Sequence, residues 1–226
     1  MIRAVVFDFN GLIVNDEHLH YLTFAEQLAN HGVNLTEELY NDRYLGYDDR
    51  GCFTAALGDF GKPCSAEILR KLIDDKAVRY LELARRELVF FPGVAESVKR
   101  LAEHVPLAVC SGALRAEVLL GLEIAGISEC FLGVLAAEDT AACKPDPEGY
   151  LKAIALLKSK HRELVAAEIT AVEDSLAGIE AAKLAGMQVA AIPNSYPVDK
   201  LQKAGPTVIV PDLPAFAEWV LKQVPR

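Results

Sequence analysis

A short apolar run that ends in an aspartate places the strongest constraint on the fold of this chain. Residues 4–7 read Ala-Val-Val-Phe without a polar break, which predicts a strand buried on both faces, as in a parallel sheet. Asp8 follows at the carboxyl end of that strand, where open α/β sheets bind their ligands. Gly11 then allows the backbone to turn sharply and to approach a ligand closely. Because an aspartate also stabilises ordinary turns, the later motifs decide whether Asp8 has a chemical role.

Similar apolar runs recur in the second half of the chain and alternate with helical patterns. The further predicted strands are residues 106–110, 130–136, 168–172, 189–192 and 207–210. The predicted helices between and after them are residues 94–103, 116–125, 147–158, 175–184 and 216–224. This alternation predicts an α/β fold whose core is a doubly wound parallel sheet of the Rossmann-like kind.

The stretch from about His18 to Arg86 interrupts this alternation, because strand patterns vanish and apolar residues recur at helical spacing. An all-helical block inserted directly after one strand predicts a small separate domain, a cap. We therefore expect an α/β core formed by residues 1–14 and 90–226 and a helical cap domain formed by residues 15–89.

The composition narrows the range of partners and compartments. A net charge of −9 argues against nucleic acid as a general partner. The five cysteines are scattered without a C-x-x-C pair, which favours reduced thiols over a disulfide framework or a zinc site. We find no signal-peptide pattern and no apolar run long enough to span a bilayer. These features predict a soluble, cytoplasmic protein without a membrane partner, either a monomer or a weak homodimer.

Polar side chains follow several of the predicted strands. They are Asp8, Ser111 with Gly112, Lys144, and Glu173 with Asp174. Because the carboxyl ends of parallel strands meet at one edge of a sheet, we expect these side chains to converge. Carboxylates are suitable ligands for Mg²⁺, whereas a serine hydroxyl, backbone amides and a lysine suit the oxygens of a phosphoryl group. Each residue alone also fits a structural role such as a helix cap, but together they indicate phosphoryl chemistry.

Four ordered motifs carry a resemblance to a known family. They are Asp8-Phe9-Asn10-Gly11, Ser111, Lys144-Pro145-Asp146, and Glu173-Asp174-Ser175-Leu176-Ala177-Gly178. The set resembles the haloacid dehalogenase-like superfamily, in the branch that holds β-phosphoglucomutase, phosphoglycolate phosphatase and small sugar-phosphate phosphatases. The resemblance extends to Phe91-Pro92-Gly93 and to the helical block, and so covers nearly the whole chain.

The resemblance implies a role for the residues of each motif. Asp8 would attack phosphorus and form an aspartyl-phosphate. Mg²⁺ would be held by Asp8, the backbone carbonyl of Asn10 and Asp174, with Glu173 assisting through water. Ser111 and Lys144 would bind the transferring phosphoryl group, next to the backbone of Gly11 and Gly112.

Two residues of the helical block are implied by the same resemblance. The segment from Leu45-Gly46 to Arg50 is similar to the loop that reads the substrate. His20 is similar to a residue often found near the joint between the two domains. Both are expected to contribute to substrate binding.

Asn10 departs from the family pattern. The family's phosphatases and mutases have a second aspartate at this position, which protonates the leaving group and then activates the attacking water. An amide does neither, and the loss of positioned acid–base catalysis costs about 10²–10⁴ in rate. A natural protein with slow or altered activity and an engineered trapping substitution both fit this residue.

The sequence therefore predicts a Mg²⁺-dependent phosphatase of a small phosphorylated metabolite, of the sugar-phosphate or phosphoglycolate type, slowed by Asn10. A phosphomutase of the β-phosphoglucomutase type is one alternative. A phospho-ligand-binding protein with attenuated catalysis is another. The sequence leaves the physiological substrate open.

Overall fold

Two compact units make up the chain in the computed structural model, which describes residues 1–224. One unit joins Met1–Asn15 to the chain from Val89 onward, and the other is Asp16–Leu88. Each unit has an apolar core of its own. The predicted core domain runs to residue 226, and its last two residues lie outside the described residues.

The first unit contains a six-stranded parallel sheet. Its strands are β1 (Ala4–Phe7), β2 (Leu107–Cys110), β3 (Phe131–Leu135), β4 (Ile169–Glu173), β5 (Gln188–Ala191) and β6 (Val208–Ile209). Their order across the sheet is β3-β2-β1-β4-β5-β6. The chain therefore extends the sheet in one direction through β2 and β3 and in the other through β4 to β6. β1 stands at the point of reversal, where open α/β sheets bind their ligands.

The helices of the described residues fall into two groups. The Asp16–Leu88 unit contains α1 (Glu17–Ala29), α2 (Glu37–Arg43), α3 (Asp49–Asp59) and α4 (Ala66–Glu87). The sheet is accompanied by α5 (Val94–Ala102), α6 (Arg115–Ile124), α7 (Glu148–Lys160), α8 (Leu176–Leu184), α9 (Val198–Ala204) and α10 (Leu213–Leu221). Short 3₁₀ turns occur at Ser128–Cys130, Ala137–Asp139 and Ala166–Glu168.

The central strand β1 is buried on both faces, as its apolar sequence predicts. Successive side chains of a strand point to opposite faces, and all four residues of β1 are apolar and buried. Val6 belongs to the same apolar cluster as Tyr150 of α7 and Ile179 of α8 on one face. Phe7 packs edge-on against Phe216 of α10 on the other, with ring centroids 6.0 Å apart. Helices on both faces of a parallel sheet confirm the predicted doubly wound α/β fold.

Several predicted element boundaries are wrong, mostly at the edges of the sheet. Cys130 belongs to a 3₁₀ turn, so β3 begins one residue later than predicted, and β6 is reduced to two residues. An edge strand pairs on one side only, and its sequence pattern therefore overstates its length. The helix α9 was not predicted, because Leu201 is its only buried residue. The last helix begins early, at Leu213, because the Asp212 side chain accepts the amide of Ala215 at 2.8 Å and caps it.

The Asp16–Leu88 unit packs around a separate apolar core. Its largest buried side chains include Phe24, Tyr40, Phe53 and Tyr44. The predicted substrate-reading loop is a loop only as far as Asp48, which caps α3, so Arg50 lies in the first turn of a helix. That correction follows from the Asp48 side chain, which accepts the amide of Gly51 at 2.7 Å. Within residues 1–224, no helix combines the length and the apolar character needed to cross a membrane.

Candidate active site

Asp8 directly follows the central strand β1, at the point where the order of the strands reverses. Its backbone amide donates to the carbonyl oxygen of Val172 at 3.0 Å, which continues the hydrogen-bonding ladder between β1 and β4. β2 flanks β1 on its other side, so the residues after β2 and β4 reach the same edge as Asp8. The Asp8 side chain is largely buried, with 8% of the residue exposed.

Three carboxylates form an acidic cluster at this edge. One oxygen from each of Asp8, Glu173 and Asp174 lies within 4.8 Å of the other two, and all three residues are buried. Glu173 is the last residue of β4 and Asp174 follows it, so the pairing of β1 with β4 fixes their approach to Asp8. The predicted convergence of these three side chains is observed.

Lys144 supplies the positive charge that holds this cluster together. Its ammonium Nζ lies 2.7 Å from Asp8 Oδ1 and 2.6 Å from Glu173 Oε1. It also donates to the carbonyl oxygen of Cys110, the last residue of β2, at 3.1 Å. The three N–H donors of the ammonium therefore each have an acceptor, and they tie together the ends of β1, β2 and β4.

The Glu173 carboxylate is fully engaged by the protein. Its Oε1 accepts the Tyr150 hydroxyl at 2.5 Å in addition to Lys144, and its Oε2 accepts the Ser175 hydroxyl at 3.0 Å. A Cβ at Gly178 would lie 1.9 Å from Oε1, so only glycine fits beside the carboxylate at the start of α8. These contacts make Glu173 a support for Lys144.

Ser111 and Gly112 form the opposite side of the site, after β2. The Ser111 hydroxyl accepts the backbone amide of Ala113 at 3.0 Å and donates to Asn10 Oδ1 at 3.3 Å. A Cβ at Gly112 would meet no atom within 4 Å, so the backbone here faces open space. Backbone amides and a hydroxyl in such a turn are suitable donors for the oxygens of a phosphoryl group.

Gly11 is required by close packing behind the segment Asp8–Gly11, which we call the nucleophile turn after the role that the family resemblance implies for Asp8. Its φ of +70° favours glycine, and a Cβ there would lie 2.1 Å from Asp174 Oδ2. A larger residue would displace the carboxylate of Asp174. Gly11 therefore allows the nucleophile turn and Asp174 to be in contact.

The buried charges of the site do not balance. Burial raises the pKa of Asp8 to about 7, the nearby Glu173 adds to the rise, and Lys144 opposes it. Burial also raises the pKa of Asp174 well above its usual range, with Asp8 and Glu173 adding to the rise. Burial alone would lower the pKa of Lys144, but Asp8 and Glu173 raise it, so the ammonium stays charged. Three carboxylates thus share one ammonium.

This excess of negative charge fits a hard divalent cation. Mg²⁺ prefers carboxylate and carbonyl oxygens, and in proteins it keeps several water ligands. The spacing of the Asp8, Glu173 and Asp174 oxygens suits such an ion. Its charge would oppose the repulsion between carboxylates, which adds to the effect of burial on the pKa values of Asp8 and Asp174.

The two predicted substrate-binding residues of the helical block lie in the Asp16–Leu88 unit. His20 is on α1, where Nε2 lies 3.2 Å from Asp16 Oδ2 and the ring stacks on Tyr80 with centroids 4.7 Å apart. Arg50 is exposed at the start of α3. Their participation in substrate binding stays a prediction.

Sequence reasoning missed three residues that contact the acidic cluster or the nucleophile turn. Tyr150 lies within the predicted helix 147–158 and was not singled out, although a buried tyrosine hydroxyl needs a partner. Asn194 and Ser195 contact Gly11 and Asp174. They follow the predicted strand 189–192 closely, so the rule that singled out Ser111, polar residues just after a strand, would have found them too.

Comparison with known proteins identifies the family. The family model of haloacid dehalogenase-like hydrolases matches residues 5–192, which is most of the chain and includes the four motifs. The protein CbbY of Rhodobacter capsulatus is 28% identical over 231 residues, covering 99% of each chain. A phosphorylated carbohydrates phosphatase of Thermotoga maritima is 26% identical over 188 residues, covering 82% of each.

A solved structure agrees with these relatives. It is a variant of CbbY from Rhodobacter sphaeroides with asparagine in place of an aspartate, in complex with xylulose-(1,5)bisphosphate. It superposes with a TM-score of 0.81 at 26% identity, covering 94% of this chain and 95% of that one. The predicted resemblance is confirmed, and the chain belongs to the haloacid dehalogenase-like hydrolases.

Proposed function

We propose that this protein is a Mg²⁺-dependent phosphatase of a small phosphorylated metabolite and that Asp8 is its nucleophile. The observation that carries the proposal is the buried Asp8 carboxylate, which Lys144 holds at 2.7 Å beside the acidic cluster. The relative named as a phosphorylated carbohydrates phosphatase supports the reaction class. The bisphosphorylated sugar bound to the CbbY variant supports a sugar phosphate as the substrate class.

In the first step, an oxygen of the Asp8 carboxylate attacks phosphorus. A bond forms between that oxygen and phosphorus, the ester P–O bond breaks, and its electron pair leaves with the alcohol oxygen. Lys144 binds Asp8 Oδ1 and so fixes the orientation of the carboxylate. Confining nucleophile and phosphoryl group in one geometry removes much of the entropic barrier.

The phosphoryl oxygens carry negative charge throughout the reaction and need donors. The backbone amide of Gly112 supplies one donor at the edge of the sheet, and the Ser111 hydroxyl supplies another when it turns from Asn10 Oδ1 to the substrate. The Lys144 ammonium, whose three N–H groups are already engaged, contributes its positive charge. Since Lys144 also contacts Glu173, its position does not depend on the substrate. Lys144 is therefore in position before the substrate binds.

Mg²⁺ would be held by Asp8, Asp174 and the backbone carbonyl of Asn10. Glu173 would contribute through water, because its carboxylate already binds Lys144, Tyr150 and Ser175. When bound, the ion neutralises charge on the phosphoryl group and on the acidic cluster.

The second step, hydrolysis of the aspartyl-phosphate, is where Asn10 matters. Water must lose a proton as it attacks phosphorus, and the Asn10 carboxamide is not a base. The Ser111 hydroxyl donates to Asn10 Oδ1 at 3.3 Å, so the amide is held as a hydrogen-bond acceptor. We therefore propose that the phosphoenzyme forms faster than it is hydrolysed.

Intact-protein mass spectrometry tests this proposal. The protein is mixed with an aryl phosphate and Mg²⁺ and quenched in acid after a short interval. We expect one added phosphoryl group in the wild-type protein and none in Asp8→Asn. Phosphate release without any adduct, at the same rate in Asp8→Asn, would contradict the covalent mechanism.

The same Asn10 favours one second candidate, a phospho-ligand-binding protein whose catalysis is attenuated. The two are separated by release of inorganic phosphate from the aryl phosphate, whose good leaving group needs no acid. Binding of a sugar phosphate by calorimetry without any phosphate release or adduct would support the binding protein. A phosphomutase would depend even more on an acid–base group, so Asn10 argues against it.

A further inference from the structure

The loop that follows β5 contacts the candidate site at two separate points. We call residues 192–196 the β5 loop. The Ser195 hydroxyl donates to Asp174 Oδ2, and the Asn194 side-chain amide donates to the carbonyl oxygen of Gly11 at 2.7 Å. One contact reaches an acidic cluster residue and the other the nucleophile turn.

The sheet places the β5 loop beside these groups. β5 pairs in parallel with β4, with Ala191 opposite Glu173, and the ladder continues as the amide of Ile192 donates to the carbonyl of Glu173 at 2.8 Å. The backbone amide of Asn194 then donates to the Ile192 carbonyl oxygen at 2.9 Å, and the chain turns toward Gly11. Strand pairing therefore brings the β5 loop to the same edge as Asp174.

The three groups are in close mutual contact. A Cβ added at Gly11 would lie 2.1 Å from Asp174 Oδ2 and 2.9 Å from Ser195 Oγ. Asp174 is buried, with 3% of the residue exposed, whereas Ser195 is exposed apart from the contact of its hydroxyl. An exposed serine whose hydroxyl bonds a buried carboxylate limits the orientations that this carboxylate can adopt.

We propose that Ser195 and Asn194 are positioning residues that set the affinity of the acidic cluster for Mg²⁺. Ser195 holds the carboxylate of Asp174 in its orientation, and Asn194 holds the nucleophile turn that carries Asp8 and Asn10. This inference rests on the proposed function, because it takes Asp174, Asp8 and the Asn10 carbonyl as ligands. Hydrogen-bond partners of metal ligands are expected to matter, since their removal typically weakens metal binding by about 10–100-fold.

Titration calorimetry of the metal-free protein with Mg²⁺ alone tests the inference without substrate. We expect Ser195→Ala to raise the Kd for Mg²⁺ by about 10-fold or more. Ser195→Thr, which keeps a hydroxyl, should bind Mg²⁺ more tightly than the alanine variant. Asn194→Ala should weaken binding as well, through the nucleophile turn.

Ser159→Ala is the matched control. The Ser159 hydroxyl donates to the Leu156 carbonyl at 2.7 Å on an exposed part of α7, so its removal should leave Mg²⁺ affinity unchanged. Thermal unfolding in EDTA should give similar midpoints for Ser195→Ala and the wild-type protein, because an exposed side chain is removed.

Kinetics separate a positioning role from a general loss of structure. In Ser195→Ala, we expect the Mg²⁺ concentration for half-maximal phosphatase activity to rise about 10-fold, while the KM for the aryl phosphate at saturating Mg²⁺ stays at the wild-type value. A fall in kcat that excess Mg²⁺ does not restore would overturn the inference.

The calorimetric outcomes distinguish this inference from the proposed function. If the wild-type protein binds Mg²⁺, Asp174→Ala loses binding, and Ser195→Ala and Asn194→Ala bind as the wild type does, the positioning role is wrong and the metal site stands. If the wild-type protein itself binds no Mg²⁺, the proposed metal site fails and the inference fails with it.

Discussion

Buried tyrosines donate their hydroxyl to a carboxylate in both units of the chain, among them Tyr44 in one unit and Tyr150 in the other. In the Asp16–Leu88 unit, Tyr44 donates to Asp59 Oδ2 at 2.7 Å, and Asp59 also pairs with the partly exposed Arg43. In the sheet unit, Tyr150 donates to Glu173 Oε1 at 2.5 Å, and that same oxygen binds Lys144. The geometry of the two bonds is nearly the same, but their surroundings differ.

The difference shows that the effect of losing a tyrosine–carboxylate hydrogen bond depends on the other residue that the carboxylate binds. Asp59 also forms an ion pair with the surface residue Arg43, and loss of that pair would lower the stability of the fold slightly. Glu173 also binds Lys144, which holds Asp8 at 2.7 Å. A change at Tyr150 is therefore transmitted to the proposed nucleophile, and a change at Tyr44 affects the packing of a helix end.

The largest difference between the two units is expected when Asp8 is replaced in one and Asp59 in the other. Asp8→Asn should abolish phosphate release, because it removes the proposed nucleophile and a proposed metal ligand together. Asp59→Asn should leave kcat unchanged and lower the unfolding temperature slightly. Both are measured by phosphate release from an aryl phosphate and by thermal unfolding. Equal loss of kcat in the two variants would remove the contrast.

A gain of function is the next largest expected effect. Asn10→Asp should raise steady-state turnover by about 10²-fold or more, because it restores an acid–base group beside Asp8. The phosphoenzyme adduct that we expect for the unsubstituted protein should be absent from the same variant. The effect should be greatest for alkyl phosphates, whose leaving groups need a proton, and smallest for aryl phosphates. Unchanged turnover for both kinds of ester would mean that position 10 has another role.

The two tyrosines themselves give a smaller and sharper contrast. Tyr150→Phe keeps the ring under the Lys144 ammonium, 5.1 Å from the ring centroid, and removes only the hydroxyl. We expect kcat to fall by about 10-fold with little change in KM, since a support of Lys144 is lost. Tyr44→Phe should leave kcat at the wild-type value. If both variants lose stability equally and neither loses kcat, Tyr150 is only a packing residue.

The smallest effect concerns the pH dependence of stability without Mg²⁺. The pKa of Asp8 is raised to about 7, above its usual value of 3.8, so between these values the folded state binds more protons than the unfolded state. The contribution of Asp8 to stability is then present below about pH 4 and is lost as pH rises toward 7. Asp8→Asn in EDTA should gain stability relative to the wild type as pH rises over this range. Chemical denaturation at pH 5 and pH 7.5 measures the difference, and a constant difference would contradict it.

Much of the site was predictable because parallel strands impose a simple rule. Polar residues that follow buried strands meet at one edge, so Asp8, Ser111, Lys144 and Asp174 could be grouped without coordinates. Asn10 could likewise be recognised as a departure, since its chemistry differs from that of an aspartate whatever its surroundings.

The contacts that support the site were not predictable in the same way. Tyr150 lies on a helix whose apolar spacing predicts core packing, and nothing in that spacing shows that its hydroxyl reaches Glu173. The rule places Ser195 at the same edge, but its bond to Asp174 depends on the order of the strands, because β5 must lie next to β4 for the β5 loop to reach Asp174.

Apolar spacing and residue chemistry are enough to predict the alternation of strands and helices, the inserted helical block and the chemical types gathered at the edge. Which side chains bind one another depends on the folded chain: Glu173 faces Lys144 and Tyr150, and Gly11 touches Asp174. The physical reason is distance along the chain. Asp8 and Lys144 are 136 residues apart in sequence, and the pairing of β1 with β2 and of β2 with β3 brings them to a hydrogen bond of 2.7 Å.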